Sequence, residues 1–192
     1  SVSDREMPAA VARPRSDMDV RYWNLRIETL DRPAIEALQL EGLRRSVAQA
    51  LRTPFYRKRL SHAGVHSPDD IRRLDDLYRI PFTVKDDLRE AYPDGLLAVP
   101  CDEVVRLHTS SGTTGTPTVI YHTQGDLDAW TELLARCITG TGAAPGDVFQ
   151  NMMTYGMFTG GLGLHYGAEK VGLLVIPSGP GNSVRQLKLM KD

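Results

Sequence analysis

HTSSGTTGTPTVIYH, residues 108 to 122, packs six Ser and Thr residues and two Gly into the nine positions Ser110 to Thr118, then runs straight into Val119, Ile120 and Tyr121. Ser, Thr and Gly are ordinary turn residues, so composition alone allows a polar hairpin loop between two strands. The same residues allow something more specific. A loop of glycines and hydroxyls can curl its backbone N–H groups around a polyphosphate, with Gly112 and Gly115 permitting positive φ and close approach. No lysine lies inside this loop, so phosphate charge would have to be balanced by Mg²⁺ or by basic groups from elsewhere in the fold.

Working outward, Val104 to Thr109 reads as the strand before the loop and Thr118 to His122 as the strand after it. A helix is expected from about Gly125 to Thr139, with Leu127, Trp130, Leu134 and Cys137 or Ile138 on one side. Asp147 to Met153 is a third strand candidate, followed by the glycine-rich YGMFTGGLGLHYG, a helix near Leu164 to Val171 and a strand over Leu173 to Ile176. Strands alternating with helices predict an α/β fold with a largely parallel sheet.

Upstream, residues 33 to 100 read as short helices. Ile35, Leu38, Leu43, Val47 and Leu51 approximate one apolar stripe. Thr53-Pro54 and Ser67-Pro68 pair a capping hydroxyl with a proline suited to the first helical position, Gly64 is placed to end the helix begun at Thr53, and Thr83 starts another that stops before Pro93. The charged run Asp69, Asp70, Arg72, Arg73, Asp75 and Asp76 reads as a solvated face. The resulting division is a flexible leader over residues 1–20, a helical segment over 21–100 and an α/β segment over 101–192. At the far end Asn182 and Ser183 can cap a helix whose Val184, Leu187 and Met190 recur at helical spacing, without a closing signal before Asp192. A truncated protein is the expectation.

Composition narrows the function. With 41% hydrophobic residues the chain can bury a core, and a net charge of -1 supplies no basic field for nucleic acid or an anionic membrane. No apolar run approaches the ~18 residues of a membrane span, and Cys101 and Cys137 form no CxxC pair, which suits a reducing, cytoplasmic compartment. A P-loop fails because Pro117 stands five residues after Gly112 and no lysine follows. Gly161, Gly163 and Gly167 form only a variant of a dinucleotide fingerprint, with no acidic residue after Leu173 to Pro177 to grip a ribose; close packing or a pocket wall is their expected role. Neither Ser110 nor Ser111 sits in a nucleophile elbow. Of His62, His66, His108, His122 and His165, only His165, within the glycine-rich segment, is retained as a candidate for chemistry.

The loop Ser110-Ser111-Gly112-Thr113-Thr114-Gly115-Thr116-Pro117-Thr118 resembles the phosphate-loop signature of the adenylate-forming enzymes. The ordered segments TPFYRKRL, IPFTVKDDLREAYPDGLLAVP, SSGTTGTPTV and YGMFTGGLGLHYGAEKVG are similar to the phenylacetate-coenzyme A ligase branch of that superfamily. The resemblance implies ATP-dependent ligation of an aryl carboxylic acid to coenzyme A through an acyl-adenylate, releasing pyrophosphate and AMP, with ATP, Mg²⁺ and coenzyme A as substrates or cofactors. It implies that Ser110, Ser111, Gly112, Thr113, Thr114, Gly115 and Thr116 wrap the β- and γ-phosphates. By the same resemblance Tyr155, Phe158, Gly160 and Gly161 line the aryl-carboxylate pocket, although Met153 stands where relatives often carry an aromatic. Many relatives have Lys where Thr118 stands; this branch commonly does not. The adenine motif, the ribose-holding acid and the catalytic lysine of a mobile C-terminal domain are expected beyond Asp192, so the chain alone is expected to complete neither half-reaction. Partners are then small molecules, with self-association, a homodimer included, wherever an uncovered apolar face remains. Two rival readings stay open: a non-catalytic nucleotide-binding module, and the adenylation domain of another carboxylate-activating enzyme.

Overall fold

The computed structural model describes residues 22–109 and 118–191. Helix α1 (Leu25–Glu28) is followed by α2 (Arg32–Ala50), α3 (Pro54–His62), α4 (Lys85–Glu90), strands β1 (Val104–Thr109) and β2 (Val119–Thr123), α5 (Gln124–Gly140), β3 (Val148–Gln150), α6 (Thr159–Val171), β4 (Leu174–Ile176) and α7 (Ser183–Lys191). This is an α/β arrangement with a helical lead. The expected 1–20 leader lies outside the described residues.

The helical lead folds around Val47, Leu60, Val65 and Ile71, with Leu40, Leu43, Leu51, Tyr56 and Ile80 packed against them. Asp31 caps α2 through Ala34 N–H and Thr53 caps α3 through Tyr56 N–H. Gly64 ends α3 with φ +69°, a conformation that suits glycine. Leu38 does not join this core. It is exposed, and Leu40 packs inward in its place because the inward face follows Leu40, Leu43 and Val47 at three- and four-residue steps. Ser67-Pro68 opens a 3₁₀ turn (Pro68–Asp70) rather than an α-helix, and α4 begins at Lys85, with Thr83 hydrogen-bonded to Tyr56 Oη instead.

The charged run also does more than face water. Asp70 accepts the N–H groups of His66 and Ser67, and Asp76 accepts those of Arg72 and Arg73, so each carboxylate closes the start of a 3₁₀ turn. These N–H donors hold both carboxyls below the usual aspartate range. Arg79 ties the turns to α3 through the Gly64 carbonyl at 2.8 Å.

β1 and β2 pair antiparallel, with Thr109 opposite Val119 and Arg106 opposite His122. The expected parallel relation fails here because nine intervening residues can close a hairpin but cannot make the crossover that parallel neighbours need. β3 and β4 do pair in parallel, and α6 forms their crossover. α5 starts in a capping box in which Thr123 and Asp126 each bond the other's backbone N–H. It packs on α6 around Ala135, Ile138, Ala168, Val171 and Leu173, and Ile138 rather than the exposed Cys137 faces inward.

Glycines permit this close helix pair. A Cβ at Gly163 would overlap Trp130 and Leu134, and one at Gly167 would stand 2.7 Å from Leu134 Cβ. Trp23, ahead of α1, packs against the same core, and Glu28 pairs with Arg136 of α5 at 3.0 Å. Asn182 caps α7 through Arg185 N–H, but Val184, Leu187 and Met190 are exposed. The residue buried instead is Gln186, whose amide bonds the Gly179 carbonyl at 2.7 Å. No described helix is long and apolar enough to cross a membrane.

Candidate active site

The loop residues Ser110, Ser111, Gly112, Thr113, Thr114, Gly115 and Thr116 lie outside the described residues. Their flanks do not. Thr109, the last residue before the loop, donates its N–H to the carbonyl of Met157 at 3.1 Å. The buried His108 places Nδ1 at 2.9 Å from the same oxygen, and since a carbonyl only accepts, that nitrogen carries the proton. One carbonyl of the segment between Tyr155 and Phe158 is therefore held twice by the strand that leads into the loop.

Around this junction His108, His122 and Trp130 pack ring against ring, His122 stacked on Trp130 with centroids 6.0 Å apart. Burial, with His108 and Arg106 nearby, pushes the His122 imidazole below its ordinary value and keeps it neutral. The Nε2 atoms of His108 and His122 are buried without a hydrogen-bond partner among the described residues.

The four residues expected in the aryl pocket gather where β3 gives way to α6. Phe158 stands just ahead of α6 and is 55% exposed, so it is not a core residue. Its ring and the Met153 methyl lie over Gly160, where a Cβ would come within 2.9 and 3.0 Å of them. Gly161 is buried against the Thr154 carbonyl, which leaves no room for a side chain. Tyr155 is partly exposed beside them, and burial of its phenol raises its pKa, so the group stays protonated near neutrality.

The sequence reading missed Asn151. This residue is 1% exposed and pins the whole segment: Oδ1 accepts Met153 N–H at 3.2 Å, while Nδ2 donates to the Gly161 carbonyl at 2.8 Å and to Tyr155 Oη at 2.7 Å. It also missed Glu169, which lies 3.0 Å from His165 Nε2. The His165 to Glu169 step of four residues on a helix was the available clue. His165 itself reaches Tyr155 Oη through Nδ1 at 3.0 Å.

Among the described residues no group of three or more His, Cys, Asp or Glu could hold a metal ion. A cavity of about 410 Å³ lies elsewhere, lined by Leu88, Tyr92, Leu97, Val104, Ile120 and Tyr121 among others, and none of Tyr155, Phe158, Gly160 and Gly161 lines it.

No protein-family profile matches the chain. Its fold resembles a solved 2-hydroxyisobutyryl-CoA ligase, described in complex with 2-HIB-AMP and CoA in the thioesterification state, with a TM-score of 0.81 and 31% identity, covering 93% of this chain and 40% of that one. The architecture is thus that of the adenylate-forming CoA ligases. In sequence it is 52% identical over 167 residues to a phenylacetate-coenzyme A ligase of Thermus thermophilus, and 48% identical over 167 residues to one of Pseudomonas putida. These alignments cover 86% of the chain, and the chain spans only 37% and 38% of the lengths of those relatives. Over the matched residues the chain is thus a sequence relative of the phenylacetate-coenzyme A ligases.

Proposed function

We propose that the protein containing this chain ligates an aryl carboxylic acid of the phenylacetate type to coenzyme A. The first step joins the carboxylate to the α-phosphate of ATP and releases pyrophosphate; the second transfers the acyl group to the thiol and releases AMP. The observation that carries this reading is the double hold on the Met157 carbonyl by Thr109 and His108. It holds Thr109, the residue before the Ser-Thr-Gly loop, beside the segment carrying Tyr155 and Phe158, which supports a carboxylate lying between that segment and a nucleotide phosphate.

Within that reading, Ser110, Ser111, Gly112, Thr113, Thr114, Gly115 and Thr116 grip the β- and γ-phosphates, with Mg²⁺ supplying charge the neutral loop lacks. Donors fixed before the reaction lower the barrier as charge builds on the departing pyrophosphate. Phe158 offers its exposed ring edge or face to the acid's aromatic ring, worth about 1 kcal/mol beyond area burial, while Gly160 lets that ring and the Met153 methyl close over it and Gly161 packs against the Thr154 carbonyl.

The test takes the protein extended to its relatives' length, with ATP, Mg²⁺, coenzyme A and a panel of phenylacetates, benzoates and indole acids, and measures pyrophosphate release. Release that depends on an arylacetate is the expected result. Release with none of the acids would remove the reading.

A further inference from the structure

Asn151, Tyr155, His165 and Glu169 form a continuous hydrogen-bonded chain, with steps of 2.7, 3.0 and 3.0 Å. The direction of its protons can be worked out. The Asn151 amide cannot be flipped, because one end faces the Gly161 carbonyl and the other the Met153 N–H. Its Nδ2 therefore donates to the Tyr155 oxygen. At the other end the Glu169 carboxylate only accepts, so His165 Nε2 carries a proton toward it, and a neutral imidazole then has Nδ1 bare. The Tyr155 hydroxyl accordingly points its own proton at His165 Nδ1. Hydroxyl, imidazole and carboxylate stand in the order that activates a hydroxyl in nucleophile–base–orienter constellations, with a phenol at the head.

An i,i+4 His-Glu pair alone is an ordinary helix-surface contact. The added features are a link to Tyr155 from outside the helix and a buried amide that fixes the phenol's orientation. The chain also has an outlet: Glu169 is 55% exposed at its side chain and lines a cleft with Arg106 and Lys170, the latter paired with Glu132.

We propose that Tyr155, His165 and Glu169 are a proton relay for the thioester-forming step, with the Tyr155 oxygen receiving the proton of the attacking thiol. The inference rests on the ligase reading above. In the step the S–H bond breaks and its proton passes to Tyr155 Oη as the phenolic proton moves to His165 Nδ1. The sulfur electron pair forms the S–C bond, and the acyl C–O bond to AMP breaks with its electron pair leaving on the phosphate. Glu169 stabilises the imidazolium, which returns its proton to water. Tyr155 is the catalytic residue; His165 and Glu169 act through it.

The extended protein would be assayed as wild type, Tyr155→Phe, His165→Gln and Glu169→Gln, with the two half-reactions measured separately. The relay predicts arylacetate-dependent pyrophosphate release within about twofold of wild type in His165→Gln and Glu169→Gln, the two variants outside the aryl-acid segment. Single-turnover thioester formation falls on the order of 10- to 100-fold in Y155F and H165Q at neutral pH, the scale of a lost proton acceptor. The deficit should shrink as pH rises toward the thiol's own ionisation near ~8.5. An unchanged thioester rate, or parallel loss of both half-reactions, overturns the relay. A wild type that releases no pyrophosphate overturns the ligase reading and the thiol as the relay's partner. A separate measurement needs no turnover: ¹⁵N NMR of the imidazoles should show neutral His165 protonated on Nε2, and an Nδ1–H tautomer would overturn the proton order.

Discussion

Replacing Gly167 by Ala tests the packing that sets α6, and with it Tyr155, His165 and Glu169, against α5. A Cβ at this position would stand 2.7 Å from Leu134 Cβ, 3.0 Å from the Leu134 carbonyl carbon and 3.1 Å from Ala135 N. Those atoms are backbone or fixed to it, so no side-chain rotation relieves the overlap and the helices must separate. Overpacking of this type costs about 1–3 kcal/mol, and the better helix propensity of Ala returns about 1 kcal/mol. The net expectation is a loss of about 0–2 kcal/mol, or a melting temperature lower by at most roughly 8 °C for a chain of this size. Gly42 supplies the control, since it lies inside α2 and a Cβ added there would meet nothing within 4 Å. Gly42→Ala should raise stability by about 0.5–1 kcal/mol. Thermal and urea denaturation of both variants beside the parent chain decide the matter. Equal stabilisation by the two substitutions would refute the argument that Gly167 is required by helix contact.

Two further outcomes follow from the hydrogen bonding. Asn151→Leu leaves the Met153 N–H and the Tyr155 oxygen without their buried partner, so stability should fall by about 1–3 kcal/mol, read from the urea midpoint; an unchanged midpoint would contradict the pinning role. The Asp70 and Asp76 carboxyls are held below the ordinary aspartate value by backbone N–H donors, so their stabilising effect is complete above the unfolded pKa and is lost as pH falls through the folded one. Amides of residues 66–79 should exchange faster relative to intrinsic rates at pH 3 than at pH 6, and Asp70→Asn with Asp76→Asn should abolish that difference.

Much of the hairpin and of the chain after it was legible in the sequence because the polar pattern there changes sharply. β1 occupies Val104–Thr109 as read, and α5 falls within a residue of its expected ends. Strand direction was not legible from alternation of strands and helices; loop length decides it, and the nine-residue link between β1 and β2 argued for a hairpin. The start of α6 at Thr159, five residues before the expected Leu164, was hidden by Gly160, Gly161 and Gly163. Those residues oppose helix formation locally and are tolerated because α5 lies so close. The apolar stripe of α7 was legible as a pattern, and its Val184, Leu187 and Met190 are exposed, since periodicity says which residues share a side but not what covers it. Tyr155, Phe158, Gly160 and Gly161 do come together at one junction. The links that organise them, Asn151 and the Met157 carbonyl, depend on contacts across 10 and 49 residues that no local pattern carries.

The central claim is that the Ser-Thr-Gly loop after β1 grips the phosphates of a nucleotide beside an aryl-acid segment. Its most direct test is arylacetate-dependent exchange of pyrophosphate into ATP by the extended protein, with Thr113 and Thr114 replaced by Ala. The account predicts an apparent KM for ATP raised on the order of tenfold or more, as two hydroxyl donors worth about 1 kcal/mol each are removed, with the apparent KM for the acid little changed. Exchange with an unaltered KM for ATP would contradict it.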